Sequence, residues 1–400
     1  MVMNRENRNL RDVYVAAAVR TPVGKIRGAF NNVRPDDLLV HTIKSLLTKA
    51  PVDSSQIGDL VVGCAMPEAE QGLNVARIAG LLSGLPDSVP AYTINRFCAS
   101  GLQAVALAAS QVAMGNTELA IGAGVESMSM VPMGGNKPSV NPSVISDDQN
   151  KAIAYGMGIT AEKVSEKYGV SRQAQDEFAL ESHRRALKAI SNDIGKDEIT
   201  PVEVESNSLK DGKVESNKKI VKNDEGPRVD SSIESLSKLR PVFKNKGSVT
   251  AGNSSQMSDG AASLLLCSEQ ALKDYNLTPL ARFLDFHVTG VPPEIMGIGP
   301  VAAIPNLLKK YNIKLEDVDW IELNEAFAAQ ALAVINELKL DKEKVNPLGG
   351  AIALGHPLGA TGAIKATTAV HALNREKLDY AMVSMCIGTG MGASGLFVRV

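Results

Sequence analysis

The sequence predicts an α/β protein made of two similar halves, with a long segment inserted in the first, and three observations point to it. Short apolar runs alternate with helical stretches, the order of those runs recurs in the second half, and between Met128 and Gln256 the texture turns polar and irregular. Strands that alternate with helices favour sheets covered by helices. A chain of 400 residues has room for two core domains plus an insertion. Two similar halves facing one another would place a site between them.

In the first half, IGDLVVGCAM (Ile57 to Met66) precedes a loop, and AYTINRF (Ala91 to Phe97), an uncharged Ala-rich stretch and ELAIGAGVES (Glu118 to Ser127) follow. From Cys98 to Met114 there is no charge; Leu102, Val105, Ala106, Ala109, Val112 and Ala113 share one helical face and Ala fills most of the rest. A helix apolar nearly all round is a buried one, so this stretch is expected between layers, with Cys98 at a strand-to-helix turn. In the inserted segment, MVPMGGNKPSVNPSV reads as an irregular connection. ITAEKVSEKYG and SRQAQDEFALESHRRALKAI read as helices, the second opening on the N-cap Ser171. The chain after ITPVEVE, up to Val249, reads as a polar run, and AASLLLCS (Ala261 to Ser268) returns to the first sheet. The second half repeats the plan with VDWIELNEAF (Val318 to Phe327), KVNPLGGAIALGHPLGATGA (Lys344 to Ala363) and DYAMVSMCIGTG (Asp379 to Gly390).

The formal net charge of −2 offers nothing for a nucleic acid or an acidic membrane surface to recognise. No stretch is apolar and long enough to span a bilayer. The four cysteines, Cys64, Cys98, Cys267 and Cys386, lie far apart with no metal-ligand spacing, so neither a zinc site nor a disulfide framework is expected. MVMNRENRNLRD lacks the apolar core of a secretory signal, and LFVRV is no peroxisomal address. A reducing cytoplasm is the expected compartment, with the peroxisomal matrix as the alternative.

Four short stretches carry the chemistry, three of them rich in glycine. In NRFCASG, Cys98 sits where a helix dipole and free N–H groups are expected to lower its pKa; an isolated cysteine is equally a small buried hydrophobe. His356 lies in GGAIALGHPLGATG, where glycines let backbone approach a ligand closely, although a lone histidine is more often structural. Cys386 lies in SMCIGTGMG; the run Gly390 to Gly395 that follows it matches GxGxxG, but only a few residues remain after it and no βαβ unit follows, so the dinucleotide reading fails. Asn324, in NEAF, could hold a water or cap the next helix.

Taken together, in this order, the four stretches resemble the thiolase family, and the resemblance covers nearly the whole chain. TAGNSSQMSDGAA (Thr250 to Ala262), GVPPEIMGIGP (Gly290 to Pro300) and GAGVESMS (Gly122 to Ser129) are also similar to thiolase segments. The resemblance implies duplicated βαβαβαββ halves in a five-layer αβαβα core. It divides the chain into a first core half (1–127 plus 257–279), an inserted loop domain over coenzyme A (128–256) and a second core half (280–400).

The implied activity is thiolytic cleavage of 3-ketoacyl-CoA in fatty-acid β-oxidation, with coenzyme A as co-substrate and no permanently bound cofactor or metal. Cys98 would be the acylated nucleophile, His356 its base, Asn324 the holder of an oxyanion-hole water, Cys386 the acid/base at carbon, and Gly388 a backbone donor to a second oxyanion hole. Arg228, Ser235 and Ser255 match residues that hold CoA, and Met157 and Met296 match residues lining the acyl and pantetheine path; a solvated arginine and core methionines are the plain alternatives. Gly156 stands where biosynthetic relatives tend to have histidine, which makes room for a longer acyl chain. The rival readings are a biosynthetic acetoacetyl-CoA thiolase and a non-catalytic acyl-CoA carrier; Cys386 stands where a decarboxylating ketoacyl synthase would have a histidine. The family implies a homodimer or homotetramer, with GAGVESMS near the partner, and a hydratase/dehydrogenase subunit as a further possible partner.

Overall fold

The computed structural model describes residues 10–210 and 213–400; residues 1–9, most of the N-terminal stretch read above as lacking an apolar core, lie outside the described residues. The strands are β1 (Val13–Arg20), β2 (Gly24–Lys25), β3 (Ile57–Gly63), β4 (Ala91–Ile94), β5 (Leu119–Ser127), β6 (Val202–Lys210), β7 (Lys213–Val221), β8 (Ser258–Cys267), β9 (Ala281–Gly290), β10 (Trp320–Leu323), β11 (Tyr380–Ile387) and β12 (Met391–Val398).

The duplication is visible in the pairing. The first half orders its strands β4-β3-β5-β8-β1, with β3 parallel to β4 and β5, and β8 antiparallel to both β5 and β1. The second orders them β10-β11-β12-β9, with β10 parallel to β11, and β12 antiparallel to both β11 and β9. A single parallel bridge from Ile321 to Val345 stands where the first half has β4. The last strands of the two halves, β1 and β9, pair over Val13–Val15 and hydrogen-bond the half-sheets into one.

Side chains alternate across each strand, as a period of two requires. From β11, Ala381, Val383, Met385 and Ile387 point between the half-sheets, while Met382 points outward. From β8, Ala262, Leu264 and Leu266 point inward, with Ala261, Leu265 and Cys267 outward. The outer faces are closed by helices Pro35–Lys49 and Val75–Leu82 on the first half and Gly299–Tyr311 and Ala328–Leu338 on the second. Pro35–Lys49 shows why such helices form: Pro at the first turn, Asp36 and Asp37 at the positive end, Lys49 at the other, and Leu38, Leu39, Ile43 and Leu46 on the buried stripe.

Between the half-sheets run helices Ser100–Ala113 and Leu358–Glu376, giving the five αβαβα layers that the resemblance implies. They cross at van der Waals contact of backbone on backbone. A Cβ on Gly101 would lie 2.7 Å from the amide N of Ala363, and one on Gly362 would lie 2.3 Å from that of Leu102. Only glycine fits at such a crossing.

Between β5 and β8 the chain leaves the core. The two expected helices are present as Met157–Tyr168 and Arg172–Ser191, the second capped by the Ser171 hydroxyl accepting from the Ala174 N–H at 3.1 Å. Two readings need correction. The stretch after ITPVEVE is no featureless polar run: it contains the antiparallel hairpin β6–β7, whose Val202, Val204 and Val221 pack on the outer face of the first half-sheet. Most of its other positions carry charged or amide side chains, which hid the period of two. GAGVES, expected near a partner, is an interior strand buried at every residue of Leu119–Ser127 between β3 and β8; the free edge of that half-sheet is β4. The inserted segment is pinned to β1 by buried Arg20, whose Nε reaches Glu198 at 2.7 Å and whose Nη atoms grip both oxygens of Asp224 at 2.7 and 3.0 Å.

Candidate active site

Both central helices begin at the same end of the molecule, and each has a chemical group just before its first turn. Cys98 sits in a turn of 3-10 helix, Phe97–Ala99, between β4 and Ser100–Ala113. The turn is held open by side chains. Asn95 Oδ1 accepts the Phe97 N–H at 2.8 Å, and the Ser100 hydroxyl donates to the Phe97 carbonyl at 2.7 Å while accepting the Arg96 N–H at 2.8 Å. Phe97 is thereby fixed at φ +45°, a left-handed conformation that costs a non-glycine residue about 1 kcal/mol or more.

His356 precedes Leu358–Glu376. Its N–H donates to the Gln256 carbonyl at 2.9 Å, and Gln256 Nε2 in turn ties Gly226, Ile352 and Ala353 through their carbonyls. The ring has Thr361 Oγ1 at 2.6 Å from Nδ1 and Asn324 Nδ2 at 3.3 Å from Nε2. Asn324 follows β10, its N–H donating to the Ser384 carbonyl at 2.9 Å, and its buried Oδ1 has no partner among the described residues. Cys386 ends β11, fully buried. Two residues on, Gly388 lies against the turn that carries Cys98, a Cβ there falling 3.7 Å from the Phe97 ring, and Leu358, which follows His356, packs with Cys98. Residues from the two halves thus meet at one thiol.

The electrostatics correct one expectation. Cys98 was to have a lowered pKa at a helix N-terminus, but burial pushes it up to about 11, against the smaller opposing pull of the Gly388 and Cys98 N–H groups. Burial, and then Lys365, push His356 down to about 3. Burial, and then the neighbouring Cys98 sulfur, raise Cys386 as well. A nearly dry pocket disfavours every charge, so the resting site is two thiols and a neutral imidazole. Alkylation of Cys98 by iodoacetamide should therefore be slow near pH 7 and accelerate about tenfold per pH unit up to at least pH 9, because the thiolate fraction rises in that proportion below a pKa of about 11. A rate that levels off near neutrality would show a preformed thiolate instead.

Of the binding residues, Met157 and Met296 lie beside Cys386, in one apolar cluster with Phe327 and Val249. Ser255, half-exposed, donates its N–H to the Ala326 carbonyl at 3.0 Å and so borders the Asn324 turn. Arg228 and Ser235 are exposed and outside the catalytic cluster. Arg228 gives its N–H to His183 Nδ1 at 3.2 Å, and the Ser235 hydroxyl donates to the Ser232 carbonyl at 2.9 Å in a capping box.

Sequence reasoning missed the groups that hold this site in shape. Glu126 is buried and accepts the N–H groups of Ala65 at 2.8 Å, Met66 at 3.3 Å and Gly359 at 2.7 Å, and Gln71 Nε2 at 2.6 Å, joining the two halves under the catalytic turn. Glu325, beside Asn324, ties the inserted segment to the second half, accepting from the Ser182 hydroxyl at 2.7 Å and Asn346 Nδ2 at 2.8 Å. A glutamate inside the apolar run GAGVES was a usable signal, since a buried carboxylate must find donors.

Comparison with known proteins agrees with this architecture. The family described as thiolase, N-terminal domain, matches residues 13–270, and thiolase, C-terminal domain, matches residues 277–399. A 3-ketoacyl-CoA thiolase of Bacillus subtilis (strain 168) is 48% identical over 97% of this chain and 99% of its own length. The peroxisomal 3-ketoacyl-CoA thiolase 1 of Arabidopsis thaliana is 45% identical over 97% of this chain and 88% of its own. The crystal structure of the Bacillus anthracis acetyl-CoA acetyltransferase superposes with a TM-score of 0.89 at 38% identity, covering 98% of this chain and all of that one. With a duplicated sheet, two central helices that each begin at a chemical residue, and near-full-length matches to both domains, the chain belongs to the thiolase family.

Proposed function

We propose that this chain cleaves 3-ketoacyl-CoA to acetyl-CoA and a shortened acyl-CoA, as an acyltransferase of fatty-acid β-oxidation. The observation that carries the reading is the meeting of the two halves at Cys98: Leu358, just after His356, packs with it, Gly388, just after Cys386, lies against its turn, and Asn324 Nδ2 stands 3.3 Å from His356 Nε2. The Cys98 sulfur attacks the 3-keto carbon while His356 takes its proton; with a thiol near 11 and an imidazole near 3, that transfer accompanies the attack rather than preceding it. The oxyanion is met by His356 and a water held by Asn324. The C2–C3 bond then breaks, its electron pair leaves as the acetyl-CoA enolate, and Cys386 protonates that carbon. Coenzyme A next gives its thiol proton to Cys386 and attacks the Cys98 thioester, whose oxyanion is held by the N–H groups of Cys98 and Gly388, each donor contributing about 3 kcal/mol. Cys98 leaves and recovers its proton from His356.

Residues 128–256 form the loop domain of this reading, and 1–127 with 257–279, and 280–400, form the two core halves. Ser255, Arg228 and Ser235 hold coenzyme A, and Met157 and Met296 line the path to Cys386. The free edge at β4, with exposed Leu73, Leu81 and Leu82 nearby, is the face on which a homodimer or homotetramer would form. Among the described residues no helix is long and apolar enough to cross a membrane; the compartment proposed is the cytoplasm, with the peroxisomal matrix as the alternative and a hydratase/dehydrogenase subunit as a further partner.

Gly156, where a Cβ would meet nothing within 4 Å, leaves space for an extended chain. We expect kcat/KM for a medium-chain 3-ketoacyl-CoA to exceed that for acetoacetyl-CoA by at least about tenfold, since each buried methylene adds roughly 1 kcal/mol. A strict preference for acetoacetyl-CoA would replace this reading with the biosynthetic one.

A further inference from the structure

We propose that Thr361 is a positioning residue that holds His356 protonated on Nδ1 and so leaves Nε2 as the basic nitrogen. The proposal rests on the reading of His356 as the base for Cys98. Thr361 lies on the first turn of helix Leu358–Glu376, and its Oγ1 is 2.9 Å from the Pro357 carbonyl, which can only accept. The single hydroxyl proton is therefore directed at Pro357. The same Oγ1 lies 2.6 Å from His356 Nδ1. Having no proton left to give, it accepts one, and Nδ1 must carry the hydrogen. On the other side of the ring, the Asn324 amide N–H faces Nε2 at 3.3 Å, which suits a lone pair there. The Thr361 half of the argument holds whichever way that amide is turned.

Both side chains are buried, 3% and 4% exposed, so bulk water does not compete for these bonds. The arrangement also helps once the proton has moved. As Nε2 gains the Cys98 proton, the Nδ1–H to Oγ1 bond becomes charge-assisted and shorter. One turn further along the helix stands Lys365, held by Glu322 at 2.8 Å, whose positive charge opposes the imidazolium. Thr361 is thus a favourable contact on a ring that its surroundings otherwise keep neutral. Behind it lies a cavity of about 300 Å³ lined by Thr361, Lys365, Glu322, Thr368 and Glu198.

The test compares Thr361→Val, which keeps the bulk and loses the acceptor, with Thr361→Ser, which keeps the acceptor. Acyl-Cys98 formation is followed by intact mass in a single turnover with a 3-ketoacyl-CoA, and the His356 ring is read by ¹⁵N chemical shifts. We expect Thr361→Val to slow acylation and lower kcat about 10- to 100-fold with KM for coenzyme A little changed, and Thr361→Ser to recover to within about threefold. The wild-type ring should show a protonated Nδ1, and the valine variant a shift towards the Nε2–H form. A wild-type ring protonated on Nε2 overturns the proposal without any variant. A valine variant that acylates at the wild-type rate overturns it while leaving the active-site reading intact, whereas a wild-type chain that forms no adduct on Cys98 overturns both.

Discussion

Cys98→Ser should form no acyl-enzyme at all, and its turnover should fall by about 10⁴-fold or more. Serine keeps the approximate size but raises the acidity gap that His356 must bridge. A ring pushed down to about 3 already takes a proton from a thiol near 11 only as the new bond forms, and an alcohol is several units weaker as an acid. Intact mass after mixing with acetyl-CoA should show an adduct on the wild type and none on the variant. Cys386→Ala separates the two thiols. It retains the nucleophile and its donors, so partial acylation of Cys98 should persist, while the proton steps at the acetyl carbon and at the incoming thiol are lost and turnover drops by about 10²- to 10⁴-fold. Full activity in both variants would remove the two-thiol mechanism.

The second large effect lies in the helix crossing. Gly101→Ala should cost about 3 kcal/mol of stability, because its Cβ would press on the Ala363 N and the Gly359 O at 2.7 and 2.8 Å. Those are backbone atoms of the opposing helix, which has no rotamer to change. Gly101 is three residues after Cys98 and its neighbours across the crossing follow His356, so whatever movement relieves the clash also displaces the two reacting groups. Denaturation midpoints should fall, with activity falling further than stability alone accounts for. Gly156→Ala is the control, with an expected change within about 0.5 kcal/mol. Equal midpoints for Gly101→Ala and the wild type would mean that the helices slide apart at little cost.

Much of this arrangement was legible in residue order. The uncharged run after Cys98 announced a helix buried on all sides, and the recurrence of strand-like runs announced two halves, because hydrophobic periodicity and repetition are written locally. Four candidate catalytic residues could be named from short motifs, and the structure brings Cys98, His356, Asn324 and Cys386 together near one thiol. What stayed hidden depends on distant partners. The thiol of Cys98 follows the dryness of its pocket, which the dipole of its own helix does not reveal. Thr361 looked like one more small residue in GATG until its hydroxyl was seen between Pro357 and His356. Glu126 and Glu325 read as ordinary acidic residues, since their donors come from Ala65, Gly359, Ser182 and Asn346, far away in the chain. The β6–β7 hairpin escaped because, among the described residues, Val202, Val204 and Val221 mark its buried face while most of the others are charged or amide side chains.

Glu126 takes N–H groups from Ala65 and Met66 on one side of the interior and from Gly359 on the other. Swinging the two halves apart like jaws would strip a buried carboxylate of donors from one of them, at a cost of several kcal/mol. The molecule therefore has no hinge at its catalytic seam. The expected consequence is that any movement admitting substrate falls to the chain between β5 and β8, much of whose surface faces solvent, and not to the seam between the halves. If so, substitutions along that chain should change acyl-chain preference more than they change the rate of acyl transfer to Cys98.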